Sequence, residues 1–281
     1  MKKSSMFTLL MLIISVAIIF TGKIYQEYQL KDMMISVDLN EDNKENGTQE
    51  VINEEYSEFY EMLINDKVSN ITLLGDSITA GVGIPSHSTP PENQVIFYNG
   101  EEEFKESALT TKSWANDLRN YVNQPKFGDI TFVNKGIGGK SGSWALENID
   151  YLLEDKEDVV FVMYGTNDRT HGSLEDYRTN ITELLETVDE RSNYMVVMSP
   201  PPSANDYYEF YFSPEDIDSV LKEVSEDKGY NFISHFDGIN NYLQENPDAE
   251  YSDLMQTEGA HPIELGYKVM WNTIKTELEL E

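Results

Sequence analysis

Residues 70–81 read NITLLGDSITAG, an apolar β-rich run that ends in a turn with glycines at both of its ends. Apolar β-rich runs recur at 130–133 (ITFV), 159–163 (VVFVM), 194–198 (YMVVM) and 231–233 (NFI). Helical patterns alternate with them at 113–122, 143–153, 174–189, 214–226 and from Pro262 to the C-terminus, with Pro262 expected at the first helical position. Near-continuous apolar strands that alternate with helices indicate a parallel sheet covered on both faces. We therefore predict a three-layer α/β/α sandwich of about five parallel strands.

Polar and glycine-rich motifs stand directly after three of these strands. Ligands of parallel sheets bind at the carboxyl ends of the strands, so the motifs are candidates for a functional site. Alone, each is typical of a turn or a helix cap. Taken in order they converge on one crevice, and they comprise GDSITAG (75–81), NKGIGGKSG (134–142), GTND (165–168) and, before the last helix, EGAHP (258–262).

The residue types in this crevice support acyl transfer. A serine hydroxyl is a poor nucleophile until a base takes its proton, and an imidazole is a natural base. Ser77 at a strand-to-helix turn can act as nucleophile, and His261 as general base and then general acid. The oxyanion of the tetrahedral intermediate needs fixed donors, which the Ser77 N–H, the Gly139 N–H and the Asn167 side-chain amide can supply.

This ordered set resembles the SGNH subgroup of the GDSL-type hydrolases, over about residues 69–281. The resemblance implies a flavodoxin-like α/β/α fold and a serine esterase or acyltransferase that needs no metal and no cofactor. Matched motif by motif, Ser77 is the nucleophile, Gly139 and Asn167 complete the oxyanion hole, and His261 is the base. Gly139 rather than Gly138 follows from matching NKGIGG to the family pattern Asn-x-x-x-x-Gly.

One position departs from the family pattern. Members usually carry Asp three residues before the histidine, whereas this chain carries Glu258. Serine triads with glutamate occur, so we expect Glu258 to orient His261. A Ser-His dyad, or Asp253 as the partner, remains the alternative.

The other histidines lack any neighbour in sequence that would give them a role. We expect His87, His171 and His235 to be surface-loop residues. Asp168 and His171 alone do not cluster enough for a metal site.

Two aromatic segments lie near the expected crevice. Pro200, Pro201 and Pro202 follow the fourth strand and precede five aromatic residues, Tyr207, Tyr208, Phe210, Tyr211 and Phe212. Such rings either contact a sugar or an acyl chain, or they pack a long loop. Residues 84–111 form an insertion, with Phe97, Tyr98 and Phe104, that we expect to form one wall of the pocket.

The chain is strongly acidic and contains no cysteine. It has 51 Asp and Glu against 20 Lys and Arg, a net charge of -31 over 281 residues. Nucleic acid is therefore an unsuitable partner, because its binding depends on Lys and Arg displacing counterions. The absence of cysteine excludes disulfides, cysteine-based zinc sites, a lipid-modified N-terminal cysteine and a thiol nucleophile.

The N-terminal region has the pattern of an export signal. Lys2 and Lys3 precede the apolar run from Met6 to Ile24, long enough to cross a bilayer, so residues 1–25 are expected to be a signal anchor or a cleaved signal peptide. Residues 26–66 are expected to be an acidic linker, with a short helix within 54–64, and residues 67–281 the hydrolase domain. We expect a single-pass membrane protein with an extracytoplasmic catalytic domain, or a secreted one.

These expectations combine into one function with open alternatives. We expect an exported esterase that removes acyl groups, in particular O-acetyl groups, from cell-surface polysaccharide or an acylated small molecule. The alternatives are a lipolytic esterase or thioesterase, an O-acyltransferase and, from a different class, a non-catalytic glycan-binding relative. The sequence does not distinguish hydrolysis from transfer, because one acyl-enzyme reacts with water or with a sugar hydroxyl.

Overall fold

Five parallel strands form the central sheet, as predicted. The computed structural model describes residues 57–83, 96–98, 103–105, 112–153, 156–203, 210–257 and 259–280. The strands are β1 (Asn70–Gly75), β4 (Thr131–Gly136), β5 (Glu157–Met163), β6 (Ser192–Ser199) and β7 (Asn231–Ser234). Their order across the sheet is β4-β1-β5-β6-β7, and every neighbouring pair is parallel. A short antiparallel hairpin of β2 (Ile96–Tyr98) and β3 (Glu103–Lys105) lies in the 84–111 insertion.

Helices connect the strands and most begin at a serine. They are α1 (Glu58–Ile64), α2 (Trp114–Val122), α3 (Gly142–Glu147), α4 (Ile149–Leu152), α5 (Leu174–Glu190), α6 (Pro214–Lys228), α7 (His235–Glu245) and α8 (Glu264–Glu277). A serine side chain accepts a backbone N–H at the start of six of these described helices, which satisfies a donor that the helix leaves unpaired.

The two faces of the sheet carry separate apolar cores. Along β5, Val159 and Phe161 point to a core shared with α1, α2 and α8, whereas Val160 and Val162 point to a core shared with α3 to α6. This alternation follows from the two-residue period of a strand. The arrangement is the predicted three-layer α/β/α sandwich, and its strand order is that of flavodoxin-like folds.

The strand order also fixes where a ligand site belongs. The chain runs from β1 to β4 on one side of β1, and then crosses back to β5 on its other side. Ligands of such sheets bind outside the carboxyl ends of the strands at the point where this reversal occurs. The crevice between the ends of β1 and β5 is therefore the candidate site.

Two details of the last helices differ from the sequence prediction. The final helix begins at Glu264, and Pro262 instead forms an antiparallel bridge with Met255, so the prediction that Pro262 opens the helix was wrong. Helix α7 was not predicted, because glycine and asparagine give its sequence a low helix propensity. Gly238 in α7 is required by packing, since a Cβ there would lie 2.4 Å from Thr273 Oγ1 of α8.

The short helix expected within residues 54–64 is α1, and it is anchored in the core. Phe59 and Leu63 are 0 % and 1 % exposed. The Phe59 ring meets Phe161 edge-on at 5.7 Å and stacks on Tyr194 at 6.0 Å. Ser57 Oγ donates a hydrogen bond to the Leu278 carbonyl after the last helix. The body of the fold thus includes this helix.

The predicted N-terminal apolar segment, Met6 to Ile24, lies outside the described residues. Within the part of the chain that is described, no helix combines the length and the apolar character needed to cross a bilayer.

Candidate active site

The turn after β1 presents Ser77 at the switch point of the sheet. Asp76 Oδ1 accepts the Ile78 N–H at 2.8 Å, and the next residues form a helical turn in which the Val82 N–H donates to the Ser77 carbonyl at 2.9 Å. Ser77 is half-buried between fully buried neighbours. Its hydroxyl is therefore accessible on a turn that is otherwise packed.

Neighbouring elements hold this turn from two sides. Asn134, at the end of β4, donates from Nδ2 to the Thr79 carbonyl at 2.8 Å. Gly136 allows the close approach, because a Cβ there would lie 2.5 Å from the Ala80 nitrogen. From α8, the Tyr267 hydroxyl donates to the Val82 carbonyl at 2.6 Å. The position of Ser77 is thus set by both β4 and α8.

His261 reaches Ser77 from the turn before α8. His261 Nε2 lies 2.8 Å from Ser77 Oγ, within hydrogen-bond distance. The Gln256 N–H donates to the His261 carbonyl at 2.9 Å, next to the bridge between Met255 and Pro262. The structure therefore brings together two residues that are far apart in sequence.

Gly83 makes this contact sterically feasible, and the sequence analysis missed it. Its φ of +107° is in the left-handed region that favours glycine, and a Cβ there would lie 2.4 Å from the Pro262 carbonyl oxygen and 2.8 Å from His261 Cβ. The nucleophile turn and the histidine turn can touch only because no side chain intervenes. The Gly-Val-Gly repeat at 81–83 was the available signal.

Glu258, the expected third triad member, lies outside the described residues. The loop that carries it is closed at its base by the Gln256–His261 hydrogen bond. The fallback partner, Asp253, is exposed and accepts the Glu250 N–H at 2.9 Å, so its carboxylate caps a short helical turn.

Asn167 contacts the Ser77 turn from the end of β5, and the glycines that follow β4 approach it through Gly138, where a Cβ would lie 3.8 Å from Ser77 Cβ. Asn167 Nδ2 lies 2.9 Å from the Lys140 carbonyl and 3.3 Å from Asp76 Oδ2. Gly139 is exposed with a φ of +76°. The structure therefore gathers the ends of β1, β4 and β5 around one solvent-accessible point.

Asp168 fastens the Asn167 turn to the start of α3. Its two carboxylate oxygens lie 3.0 and 3.1 Å from the Gly142 N–H. Burial raises the pKa of Asp168, and backbone N–H groups at Gly142 and Ser143 oppose that rise. A helix N-terminus stabilises a carboxylate, so the position of Asp168 is explained by a structural role.

Asp76 is the most perturbed acid of the site. Burial is the main cause that raises the pKa of its carboxyl from 3.8 to about 7, the Ile78 N–H opposes the rise, and the nearby charge of Asp168 adds to it. Near neutral pH Asp76 is thus part protonated beside Ser77. Perturbed acids of this kind cluster at functional sites.

The described histidines other than His261 divide into one exposed and one buried residue. His171 is exposed, as predicted, with Nδ1 3.0 Å from the Asn167 carbonyl. His235 is 1 % exposed near Trp114, so its prediction as a surface residue was wrong. The prediction for His235 was wrong because this residue begins helix α7, which was not predicted. His87 lies outside the described residues. No cluster of three or more His, Asp or Glu suitable for a metal occurs among the described residues.

The aromatic segment after β6 has mixed roles. Phe212 is buried and stacks on Tyr177 with ring centroids 5.4 Å apart, whereas Tyr211 is 69 % exposed. Phe210 lies against the guanidinium of Arg169, with the Arg169 Cζ 4.0 Å from the ring centroid. Tyr207 and Tyr208 lie outside the described residues. The side chains of Phe97, Tyr98 and Phe104 in the insertion likewise lie outside the description.

Comparisons with known proteins point to one family and one fold. The family model described as GDSL-like lipase/acylhydrolase matches residues 73–269. A comparison with curated proteins gave no match. Among solved structures, a catalytic mutant of Axe2, an acetylxylan esterase from Geobacillus stearothermophilus, superposes with a TM-score of 0.59 at 18% identity, covering 76% of this chain and 95% of that one. LAE5, an α/β hydrolase from the metagenome of Lake Arreo in Spain, superposes with a TM-score of 0.57 at 19% identity, covering 75% and 95%. At these identities the structural likeness establishes the fold.

Proposed function

Because the chain belongs to the GDSL-like lipase/acylhydrolase family, and is therefore an ester hydrolase, we propose that it works as a serine esterase with Ser77 as nucleophile and His261 as general base. The observation that carries this proposal is the 2.8 Å distance between Ser77 Oγ and His261 Nε2. A nucleophile and a base within hydrogen-bond distance, on an accessible turn, are the minimum that acyl transfer requires.

The proposed reaction has two halves. His261 Nε2 takes the hydroxyl proton while Ser77 Oγ bonds to the ester carbonyl carbon, and the carbonyl electron pair moves to oxygen. When the tetrahedral intermediate collapses, the bond to the alkoxy oxygen breaks and His261 returns the proton to the departing alcohol. Water, activated by His261 in the same way, then releases the acid from Ser77.

The Ser77 N–H, the Gly139 N–H and the Asn167 side-chain amide are the proposed oxyanion donors. The positions of these groups support the proposal, because they follow the ends of the neighbouring strands β1, β4 and β5. The Asn167 amide is held by the Lys140 carbonyl at 2.9 Å. The hydrogen bond from that amide to Asp76 is longer, at 3.3 Å, and therefore weaker. The oxyanion would compete with Asp76 for this N–H.

Glu258 is proposed to orient His261. With Nε2 directed at Ser77, the other ring nitrogen must carry a proton and needs an acceptor. Glu258 lies in the six-residue turn that ends at His261, whereas the Asp253 carboxylate is engaged with Glu250. A Ser-His dyad is the alternative arrangement.

The proposed substrate is an O-acetyl ester of a carbohydrate. One enzyme among the similar solved structures, Axe2, is an esterase of acetylxylan and acetyl-xylooligosaccharides. Tyr211 is 69 % exposed, its N–H donates to the carbonyl of Arg169, two residues after Asn167, and its ring could contact a sugar. A lipolytic esterase, a thioesterase and an O-acyltransferase remain the alternatives, and a purely glycan-binding relative is disfavoured because binding alone needs no nucleophile with a base.

A chain-length series tests the substrate proposal. We expect purified protein to hydrolyse 4-nitrophenyl acetate faster than the octanoate and to release acetate from acetylated xylo-oligosaccharides. Ser77→Ala is the matched control and should release none. A preference for octanoate would favour the lipolytic alternative, and acetyl transfer to a sugar acceptor in the same assay would favour the acyltransferase.

The proposed location is the outer face of the cell membrane. The basic residues before the apolar run Met6 to Ile24 and the acidic segment that follows it support an exported domain on an anchor or, after cleavage, a secreted one. Protease added to intact cells should digest the catalytic domain of an anchored protein, and protection from that protease would contradict export.

A further inference from the structure

Arg169 is a buried cation two residues after Asn167. It is 1 % exposed, and burial lowers the pKa of its guanidinium to about 10. Burying a guanidinium is costly unless its donors are used. An apolar side chain would fill the same space at a lower cost, so the contacts of this particular group need an explanation.

Three contacts of Arg169 lie at the two described ends of the connection between β6 and α6, besides a 3.4 Å contact of its Nε with the Thr166 carbonyl in its own turn. Its Nη2 donates to Ser203 Oγ at 2.6 Å, shortly after β6. Its planar head lies over the Phe210 ring at 4.0 Å, and its carbonyl accepts the Tyr211 N–H at 3.0 Å, shortly before α6. One residue therefore ties this connection to the turn that carries Asn167.

Tyr251, in a different segment, also holds the connection between β6 and α6. The Tyr251 hydroxyl donates to the Pro202 carbonyl at 3.2 Å. Tyr251 opens the short helical turn that precedes the loop of Glu258 and His261. The segments that carry Asn167 and His261 thus both hold the β6–α6 connection.

This fastening leaves one aromatic side chain facing solvent near the site. Tyr211 is 69 % exposed, although its backbone is bonded to Arg169. Arg169 follows Asn167 by two residues, a span of at most about 7 Å, and its carbonyl accepts the Tyr211 N–H, so the Tyr211 backbone is a close neighbour of the turn that carries Asn167. An acetyl group is only two carbons long, so a side chain beyond the immediate surroundings of Ser77 would meet the alcohol portion of the ester.

We propose that Arg169 is a positioning residue that holds Tyr211 at the rim of the active site, where the Tyr211 ring stacks on the carbohydrate portion of the substrate. This inference rests on the proposed function, since it takes the alcohol to be a carbohydrate. Aromatic stacking of this kind contributes roughly 1 kcal/mol, so its loss should weaken binding about fivefold.

Steady-state kinetics on two substrates test the proposal. Tyr211→Ala and Arg169→Ala should each raise KM for acetylated xylo-oligosaccharides about fivefold, while kcat for 4-nitrophenyl acetate stays within about threefold. Tyr211→Phe should retain the wild-type KM, and guanidinium chloride should partly restore it in Arg169→Ala. The double variant should be no worse than either single variant, because both act through one contact.

Two controls separate this role from general surface or charge effects. Tyr151→Ala removes another exposed tyrosine. Arg178→Ala removes an arginine of α5 that is paired with Glu223. Both variants should behave as wild type. An unchanged oligosaccharide KM in Tyr211→Ala, which does not disturb the core, would overturn the inference, as would equal losses of kcat on both substrates in that variant. If the wild type cleaves 4-nitrophenyl acetate but no acetylated oligosaccharide, the proposed substrate has failed instead.

Discussion

Asp76 and Ser77 are adjacent in sequence, but the structure gives them opposite environments. Asp76 is 1 % exposed and its pKa is raised to about 7, whereas Ser77 is half-buried and its Oγ lies 2.8 Å from His261 Nε2. The motif identified Ser77, because a serine on a strand-to-helix turn has a recognisable pattern. The state of Asp76 could not be predicted, because it depends on burial and on Asp168, which only the folded chain brings near.

Asn167 provides a test of the oxyanion hole at the residue scale. Asn167→Ala should lower kcat about 100-fold or more with little change in KM, because the amide stabilises charge that develops only in the transition state. Esterase kinetics on 4-nitrophenyl acetate measure this. His171→Ala, in the same turn but exposed, is the control and should lie within about twofold of wild type. A change in KM with no change in kcat would contradict a role in the oxyanion hole and indicate that Asn167 binds the substrate.

At the scale of elements, apolar runs predicted the five strands to within a few residues, most clearly for β1, β5 and β6, which are buried on both faces. Loops were harder to predict. Gly83, Arg169 and the bridge between Met255 and Pro262 act through contacts between distant segments, and no local pattern encodes those contacts. Helix α7 was missed for a related reason, since packing against α8 overrides its weak intrinsic propensity.

Helix α1 carries an element-scale prediction. Phe59→Ala should lower the free energy of unfolding by about 3–5 kcal/mol, since its ring packs on Phe161 and Tyr194 in the core. Ile64→Ala, in the same helix but 43 % exposed, should cost less than about 1 kcal/mol. Urea unfolding curves compare the two variants. Equal, small effects would show that α1 is not part of the cooperative unit.

At the scale of the whole molecule, two buried ionisable groups shape stability against pH in opposite directions. Burial lowers the pKa of His235 from 6.5 to about 3, and its ring nitrogens have no partner among the described residues. Its contribution is fully present above pH 6.5 and is lost as pH falls toward 3. Asp76, raised from 3.8 to about 7, contributes stability below pH 3.8 that is lost as pH rises to 7.

Between about pH 4 and 6.5 the contributions of His235 and Asp76 have opposite slopes, so removing either group alone should tilt the stability profile. His235→Leu should become more stable than wild type as pH falls, by about 2 kcal/mol at pH 5 relative to pH 7.5. Asp76→Asn should lose stability relative to wild type as the pH falls from 7.5 to 5. Denaturant unfolding across pH measures both, and His171→Leu, which changes an exposed histidine, should follow the wild-type profile. Parallel profiles for all four proteins would contradict the assigned pKa values.

The central claim, that Ser77 attacks the ester with His261 as its base, is tested most directly by covalent labelling with a fluorophosphonate followed by peptide mass spectrometry. The account predicts one label per chain, located on Ser77, with labelling abolished in Ser77→Ala and slowed at least 100-fold in His261→Ala. Labelling of a different residue, or an undiminished rate in His261→Ala, would contradict it.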